Sequence, residues 1–267
     1  MNSMMAVIRE QVSNFYLINR LSVYQVKSTN NNNYLGMVWE VLNPLFQMSI
    51  YWFVFGFGIR QGEPVDGIPF VLWMSAGLVV WFFFNPAVIQ GSKSIYTRLS
   101  MVSKMNFPMS TIPSFVIMSV FYQHLILLGI YFAAVLMTGQ GLSWHLIQLP
   151  YYMFALIILI FAISLITSTL STIVRDVHKM LQSFIRMFLY LTPILWTIDS
   201  LPEFIQVGMK LNPLYYIVEG YRDALLGMGW VHQTLQYTLY YWVVVVLLLM
   251  IGSYLHMKFK SHFVDYI

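Results

Sequence analysis

Charge is scarce in this 267-residue chain: 9% of the residues are Asp, Glu, Lys or Arg, against 59% that are hydrophobic. Soluble domains are usually about one quarter charged, so the composition excludes a water-soluble globular fold. Cysteine is absent. That excludes a disulfide, a thiolate nucleophile and a cysteine-ligated metal, and it leaves the redox compartment open. Catalytic signatures are missing as well. Gly91-Ser92-Lys93-Ser94 lacks the upstream glycine spacing and the preceding strand of a phosphate loop, so the chain is not expected to hydrolyse ATP by itself. There is no HExxH, no GxSxG elbow and no Asp-rich metal cluster, and the apolar stretches hold few ionisable residues, which argues against a membrane-bound polymerase or ligase. An ion-coupled carrier would need paired intramembrane carboxylates or inverted repeats, and neither is found. Residues 1–20 carry Arg9, Glu10 and Arg20 without a long apolar core or a small-residue cleavage site, so no signal peptide is expected.

Long apolar runs take the place of these features. Mean hydropathy is +0.69, and a helix rising about 1.5 Å per residue needs roughly 20 residues to cross the hydrocarbon core. Spans are expected near 41–59, 68–90, 112–137, 151–174, 181–198 and 236–257. The expected fold class is therefore an all-α membrane protein with six transmembrane helices, divided into an N-terminal interfacial segment (1–33) and a transmembrane domain (34–267). In the first segment Val7, Ile8, Val12, Phe15, Tyr16, Leu17, Leu21 and Val23 mix with Arg9, Arg20 and Lys27, which predicts an amphipathic helix in the membrane interface. The run Asn30 to Asn33 then turns the chain into the membrane. Between spans five and six, 199–230 is too apolar for an external loop and is interrupted by Pro202 and Pro213. Two short re-entrant helices are expected there, their broken backbone covered by protein or facing a wet cavity.

Basic residues set the orientation. Arg9, Arg20, Lys27, Lys93, Arg98, Lys104, Arg175, Lys179, Arg186, Lys258 and Lys260, 11 of the 14 Lys and Arg, fall on one side of the six spans, which the positive-inside rule makes the cytoplasm. Both termini are then cytoplasmic. Glu63, Asp66, Asp199, Glu203, Glu219 and Asp223 lie opposite, with Arg60, Lys210 and Arg222. Topology and anionic lipid head groups account for the net charge of +4, and no nucleic-acid partner is implied. Trp39, Trp73, Trp81, Trp144, Trp196 and Trp230 cluster near span ends, where indole rings anchor in the head-group layer.

Four places carry candidate chemistry. Residues 92–105 read as a short amphipathic helix with Ile95, Leu99 and Val102 near one face and Lys93, Arg98 and Lys104 elsewhere. Held between two spans, such a helix either transmits a rigid-body motion from a soluble partner or simply rests on the membrane surface. Arg175-Asp176 sits at a helix junction, where Arg complements one helix C-terminus and Asp caps the next helix; it is a structural pair or a gate latch. Glu219 with Arg222 and Asp223 forms a local charge cluster at i,i+3 and i,i+4, structural or substrate-contacting. His124 is the one titrating group expected within a span, as a satisfied packing residue or a proton relay. Arg186 lies near enough to the start of span five to snorkel.

Several stretches, taken in order, resemble one family. They are Tyr34-Leu35-Gly36-Met37-Val38-Trp39-Glu40-Val41-Leu42-Asn43-Pro44-Leu45, the loop ending Lys104-Met105-Asn106-Phe107-Pro108, Arg175-Asp176-Val177, Thr192-Pro193-Ile194-Leu195-Trp196, and Asn212-Pro213-Leu214 through Tyr221-Arg222. The chain resembles the ABC-type polysaccharide and polyol phosphate export permeases over nearly its full length. The family usually has a Tyr-rich or Arg-rich approach to its LGxxW segment; here Lys27-Ser28-Thr29 and the Asn run stand instead. With the stretches 51–60 and 90–98, they look like the teichoic-acid-exporting members from Gram-positive bacteria. The resemblance implies a homodimer with two copies of a separate nucleotide-binding subunit that carries the ATP and Mg2+, no cofactor in this chain, and a lipid-linked teichoic acid substrate moved across the plasma membrane. An O-antigen or capsule glycan is the alternative cargo. The resemblance also makes Ser94, Ile95, Arg98, Leu99, Val102 and Lys104 the ATPase-coupling residues, and spans one and five the channel lining. Candidates for the path and its entrance are Arg20, Lys27, Tyr34, Trp39, Tyr51, Phe55, Tyr190 and Trp196; aromatic rings offer a weakly binding, partly polar route, and the cations concentrate an anionic head group.

Overall fold

The computed structural model describes residues 2–30, 34–102, 107–139, 143–198 and 201–266. Its helices are α1 (Asn2–Ser13), α2 (Phe15–Asn30), α3 (Trp39–Tyr51) with a π-helical continuation (Trp52–Ile59), α4 (Phe70–Lys93), α5 (Leu99–Val102) and α6 (Thr111–Met137). They continue as α7 (Leu149–Ile173), α8 (Asp176–Leu191), α9 (Glu203–Lys210), α10 (Pro213–Leu226) and α11 (Leu235–Phe259). No strand occurs among the described residues.

Four stretches, Phe70–Lys93, Thr111–Met137, Trp144–Ile173 and Val231–Phe263, are long and apolar enough to cross a membrane. In hydrocarbon no water pairs the peptide groups, so an unbroken helix is what satisfies them. Helix α4 is central: 72% of its apolar window is buried within the protein, against 22% for that of α11. Leu78, Val79, Phe83 and Phe84 of α4 join Ile117 and Val120 of α6 and Leu156, Leu159 and Ile160 of α7 in one core. At the end of α4, Gly91 lets α7 come so close that an added Cβ would stand 2.3 Å from the Ser164 hydroxyl.

The two remaining expected spans are helical but interrupted. Residues 39–59 stay helical, yet the winding loosens at Trp52 and the Arg60 amide reaches back to Phe55 O (3.0 Å). The expected span near 181–198 starts earlier and ends sooner. Helix α8 stops at Leu191 and Thr192 turns extended, because Pro193 has no N–H and forces its predecessor out of the helical region. Four described helices, rather than six, therefore meet the length and apolarity of a crossing.

The expected single N-terminal helix is a pair, α1 and α2, laid against α6. Gln11 Nε2 donates to Ser110 O (3.0 Å), Ser114 Oγ donates to Gln11 Oε1 (2.6 Å), and Tyr122 bonds the Asn19 side chain. Val12, Phe15, Tyr16 and Tyr24 remain exposed. Asn31 to Asn33 lie outside the described residues.

Two short helices, α9 and α10, stand where two were expected. Helix α10 is capped by Asn212, whose side chain accepts from the Leu214 amide (2.9 Å). It begins on Pro213 and ends at Gly227 with φ +74°, the usual asymmetry of helix termini. It is inserted against α4 and α7, with Leu214, Ile217, Val218 and Tyr221 buried. Protein thus covers its backbone. A Cβ at Gly220 would stand 2.0 Å from the Tyr152 ring, so Gly220→Ala should push that ring off Tyr216, now 5.7 Å away between centroids. The expected cost is about 1–3 kcal/mol of overpacking, read as a lower melting temperature in detergent. Gly208→Ala, with nothing within 4 Å, should leave it unchanged.

Candidate functional site

The segment expected to couple to an ATPase is built from three pieces. Helix α4 runs on to Lys93, residues 94–98 turn, and α5 adds one helical turn. The bend rotates the apolar residues inward. Ser94, Ile95 and Leu99 are buried, the last two against Ile18, Ile112, Phe115, Val116 and Phe263. Arg98 is also tied inward: Nη2 donates to Gln25 Oε1 (2.9 Å), Nη1 donates to Ser94 O (3.1 Å), and the guanidinium lies 5.2 Å from the Phe115 ring centroid. Burial pulls its pKa below the ordinary arginine value. Val102 closes α5, and Lys104 lies outside the described residues. Lys93, Thr97 and Ser100 are the exposed residues of the turn, beside a half-buried Tyr96.

A contact unseen in the sequence joins this turn to α8. His178 Nδ1 lies 2.7 Å from Ser92 Oγ, and its Nε2 lies 3.0 Å from Gln182 Nε2. The Tyr96 ring stands edge-on to the imidazole. No spacing rule connects Ser92 to a residue 86 positions away, so sequence reasoning had no signal for it. Asp176, expected to cap the helix after the junction, is instead the first residue of α8, whose N-cap position is Arg175 with no side-chain cap bond; both are exposed, and Asp176 bridges to Lys179 at 3.7 Å on that first turn. An exposed i,i+3 pair contributes little.

Helix α8 buries His178, Ile185 and Leu189. Its opposite side exposes Lys179, Ser183, Arg186 and Tyr190 in one stripe and Met180, Phe184, Met187 and Leu191 in the next, at the i,i+4,i+7 spacing of a helix face. Arg186 bonds only within its own helix in the described contacts, to Gln182 O and Ser183 Oγ (both 3.3 Å). The Tyr190 carbonyl accepts from Trp196 Nε1 (3.0 Å), so two of the expected path aromatics are brought together, while Tyr51 is half-buried at the end of α3. Phe55 is half-buried on the π-helical segment, Trp39 is exposed at the start of α3, and Tyr34 is fully exposed before it. Arg20 and Lys27 are exposed on α2.

Beyond the end of α8 lies a second polar site. Arg222 is 1% exposed; its Nη1 donates to Pro193 O (3.0 Å) and Glu219 Oε1 (2.5 Å), and its Nη2 to Ile194 O (2.9 Å). The guanidinium carbon lies over the Trp73 ring, 3.5 Å from its centroid, and Gly77 leaves it room, since a Cβ there would stand 3.1 Å from Nη2. The carbonyls freed by Pro193 thus find donors on α10. Asp66, Trp196 and Tyr215 are among the further residues that line an adjoining cavity of about 110 Å³. His124 is buried with both ring nitrogens partnered: Nδ1 lies 3.2 Å from Val79 O and Nε2 3.0 Å from Tyr221 OH.

The family model described as ABC-2 type transporter matches residues 16–226. This chain belongs to the ABC-2 type transporter family. The matched range runs from the start of α2 to the end of α10 and so contains the α4–α8 junction, the α8 face and the Arg222 cluster. The O-antigen export system permease protein RfbA of Myxococcus xanthus is 23% identical over 221 residues, 82% of this chain and 84% of that protein. A protein of the same name from Klebsiella pneumoniae is 28% identical over 204 residues, 76% and 77% of the two chains. The polysialic acid transport protein KpsM of Escherichia coli is 22% identical over 196 residues, 72% and 74% of the two. Family membership and the four apolar helices make this ABC-2 chain an integral membrane protein.

Replacing Arg222 tests its hold on the break after α8. Arg222→Met leaves Glu219 and two carbonyls without their donor. The expected loss is about 3 kcal/mol, the low end for breaking a buried pair, since the Glu219 side chain is 36% exposed. Arg222→Lys keeps the charge but not the fork that reaches both carbonyls, so its melting temperature should fall between those of wild type and Arg222→Met.

Proposed function

We propose that this chain is the permease subunit of an ATP-driven exporter that moves a lipid-linked, polyol phosphate polymer of the wall teichoic acid type across the plasma membrane. ATP and Mg2+ act on two copies of a separate nucleotide-binding subunit, and two copies of this chain form the membrane part. The α8 face carries the reading. A stripe holding Lys179 and Arg186 is costly against lipid, and it is accommodated if two copies turn these faces towards a shared hydrated lumen. In that arrangement residues 39–59 and 176–198 complete a six-crossing bundle with both termini in the cytoplasm, and the expected path residues Tyr51, Tyr190 and Trp196 lie beside the lumen. The lipid tail stays in hydrocarbon while the phosphate groups follow the polar stripe. The helix pair α1–α2 rests in the inner interface, with Arg20 and Lys27 drawing the anionic head group to the entrance.

A second cargo, a lipid-linked O-antigen or capsule glycan, is favoured by the names of the relatives. Reconstituting the chain with its ATPase subunit and following ATP-dependent flipping separates the two. Movement of a lipid-linked polyol phosphate polymer supports the first reading. A complex that hydrolyses ATP and moves only a neutral lipid-linked glycan discards that cargo and keeps the machine.

The ATPase is proposed to dock on the outward side of the 92–102 segment, at Lys93, Thr97 and Ser100, while Ser94, Ile95, Arg98 and Leu99 hold that surface in place from within. The chain has no cysteine, so single substitutions report cleanly. Lys93→Cys and Thr97→Cys should crosslink to the ATPase subunit with a short thiol reagent; Ile95→Cys should not, and the reverse pattern would refute the assignment.

A further inference from the structure

We infer that His178 is a positioning residue that couples movement of the ATPase-facing turn to the α8 face, through its hydrogen bond to Ser92. The inference rests on the exporter reading given above. Its basis is the order of protons across the α4–α8 junction. The single Ser92 O–H donates to Ile89 O (2.8 Å), so its oxygen accepts from His178 Nδ1–H (2.7 Å). That tautomer leaves a lone pair on Nε2, which accepts from the Gln182 amide (3.0 Å). Each polar atom of the ring then has a fitting partner, and the ring is neutral. Ser92 and His178 are 0% and 8% exposed, so water does not compete for the bond.

Position gives the bond its role. Ser92 directly precedes Lys93, the exposed last residue of α4 before the turn, and Gly91 lies close against Ser164. A push on the turn is thereby delivered at the end of α4, and His178 is where α8 receives it. Among the buried residues of α8, His178 is the polar one, and Ile185 and Leu189 are apolar contacts that can slide. A hydrogen bond fixes direction where apolar packing does not. From His178 to Tyr190 the helix is a rigid rod of about 18 Å, and its outward face holds Lys179, Ser183, Arg186 and Tyr190.

The test measures export per ATP hydrolysed by the reconstituted complex. His178→Ala should still assemble with the ATPase subunit and hydrolyse ATP, while export per ATP falls about five- to tenfold, the scale of one buried hydrogen bond. His178→Asn, whose amide nitrogen occupies the place of Nδ1–H, should restore most of it, and Ser92→Ala in the His178→Asn background should abolish that rescue. A merely structural residue would change abundance and melting temperature and leave the ratio intact. Wild-type export per ATP in His178→Ala, or rescue by Asn that survives loss of the Ser92 hydroxyl, overturns the inference. Should His178→Ala fail to assemble, Ser92→Ala alone decides: a lowered ratio supports the link and an unchanged one refutes it. A wild-type complex that hydrolyses ATP and exports no polymer overturns the exporter reading and the inference with it.

Discussion

A helix broken within apolar surroundings leaves carbonyls that no water can reach, and the arrangement of this protein turns on how those carbonyls are paired. Pro193 ends α8 and frees the acceptors at Pro193 and Ile194. Arg222 of α10 supplies both donors and stacks on Trp73 of α4, a cation–π contact that strengthens when desolvated. One side chain therefore binds the break, the short helix α10 and the central helix together. Without it α10 would lose its tie to the break and to Trp73 of α4, and would keep on the α7 side the contact of its Tyr216 hydroxyl with that of Tyr151 (3.0 Å).

The same helix, α8, has two unlike faces because its anchors are few. His178, Ile185 and Leu189 face the core, with Leu181 and Phe188 partly buried beside them, and the opposite side is open. A helix attached along so narrow a strip can tilt or rotate at small cost, which is what a moving part requires. The π-helical stretch Trp52–Ile59 gives α3 a comparable looseness, and π segments commonly occur at functional positions. The rigid part is α4, α6 and α7, whose aliphatic and aromatic residues interlock without exposed polar stripes.

Cargo and scaffold separate along this division. The tightly packed helices follow from the bilayer and say nothing about what is transported. The open faces of α3 and α8, with aromatic rings and two cations on α8, are where polymer chemistry would be read, and relatives that share the scaffold are named for O-antigen and polysialic acid.

The sequence by itself determined the solvent and the framework. Scarce charge and long apolar runs demand a membrane, and the spans near 68–90, 112–137, 151–174 and 236–257 emerge within a few residues as α4, α6, α7 and α11, because hydrophobic length is a local property. The two short helices of 201–230 were legible for the same reason, from Pro202 and Pro213. Proline also explains the difference at the expected span five, where hydropathy over 181–198 hid the break that Pro193 makes. What only the tertiary structure decided is which side of each short element faces inward. The apolar residues Ile95 and Leu99 lie in a segment that bends at residues 94–98, so a straight helical projection could not show that they seal a core with Ile18 and Phe263. His178 with Ser92, and Arg222 with Trp73, are meetings of residues remote in the chain. Their geometry is set by how whole helices pack, and packing is a property of surfaces in contact that no local pattern of residues encodes.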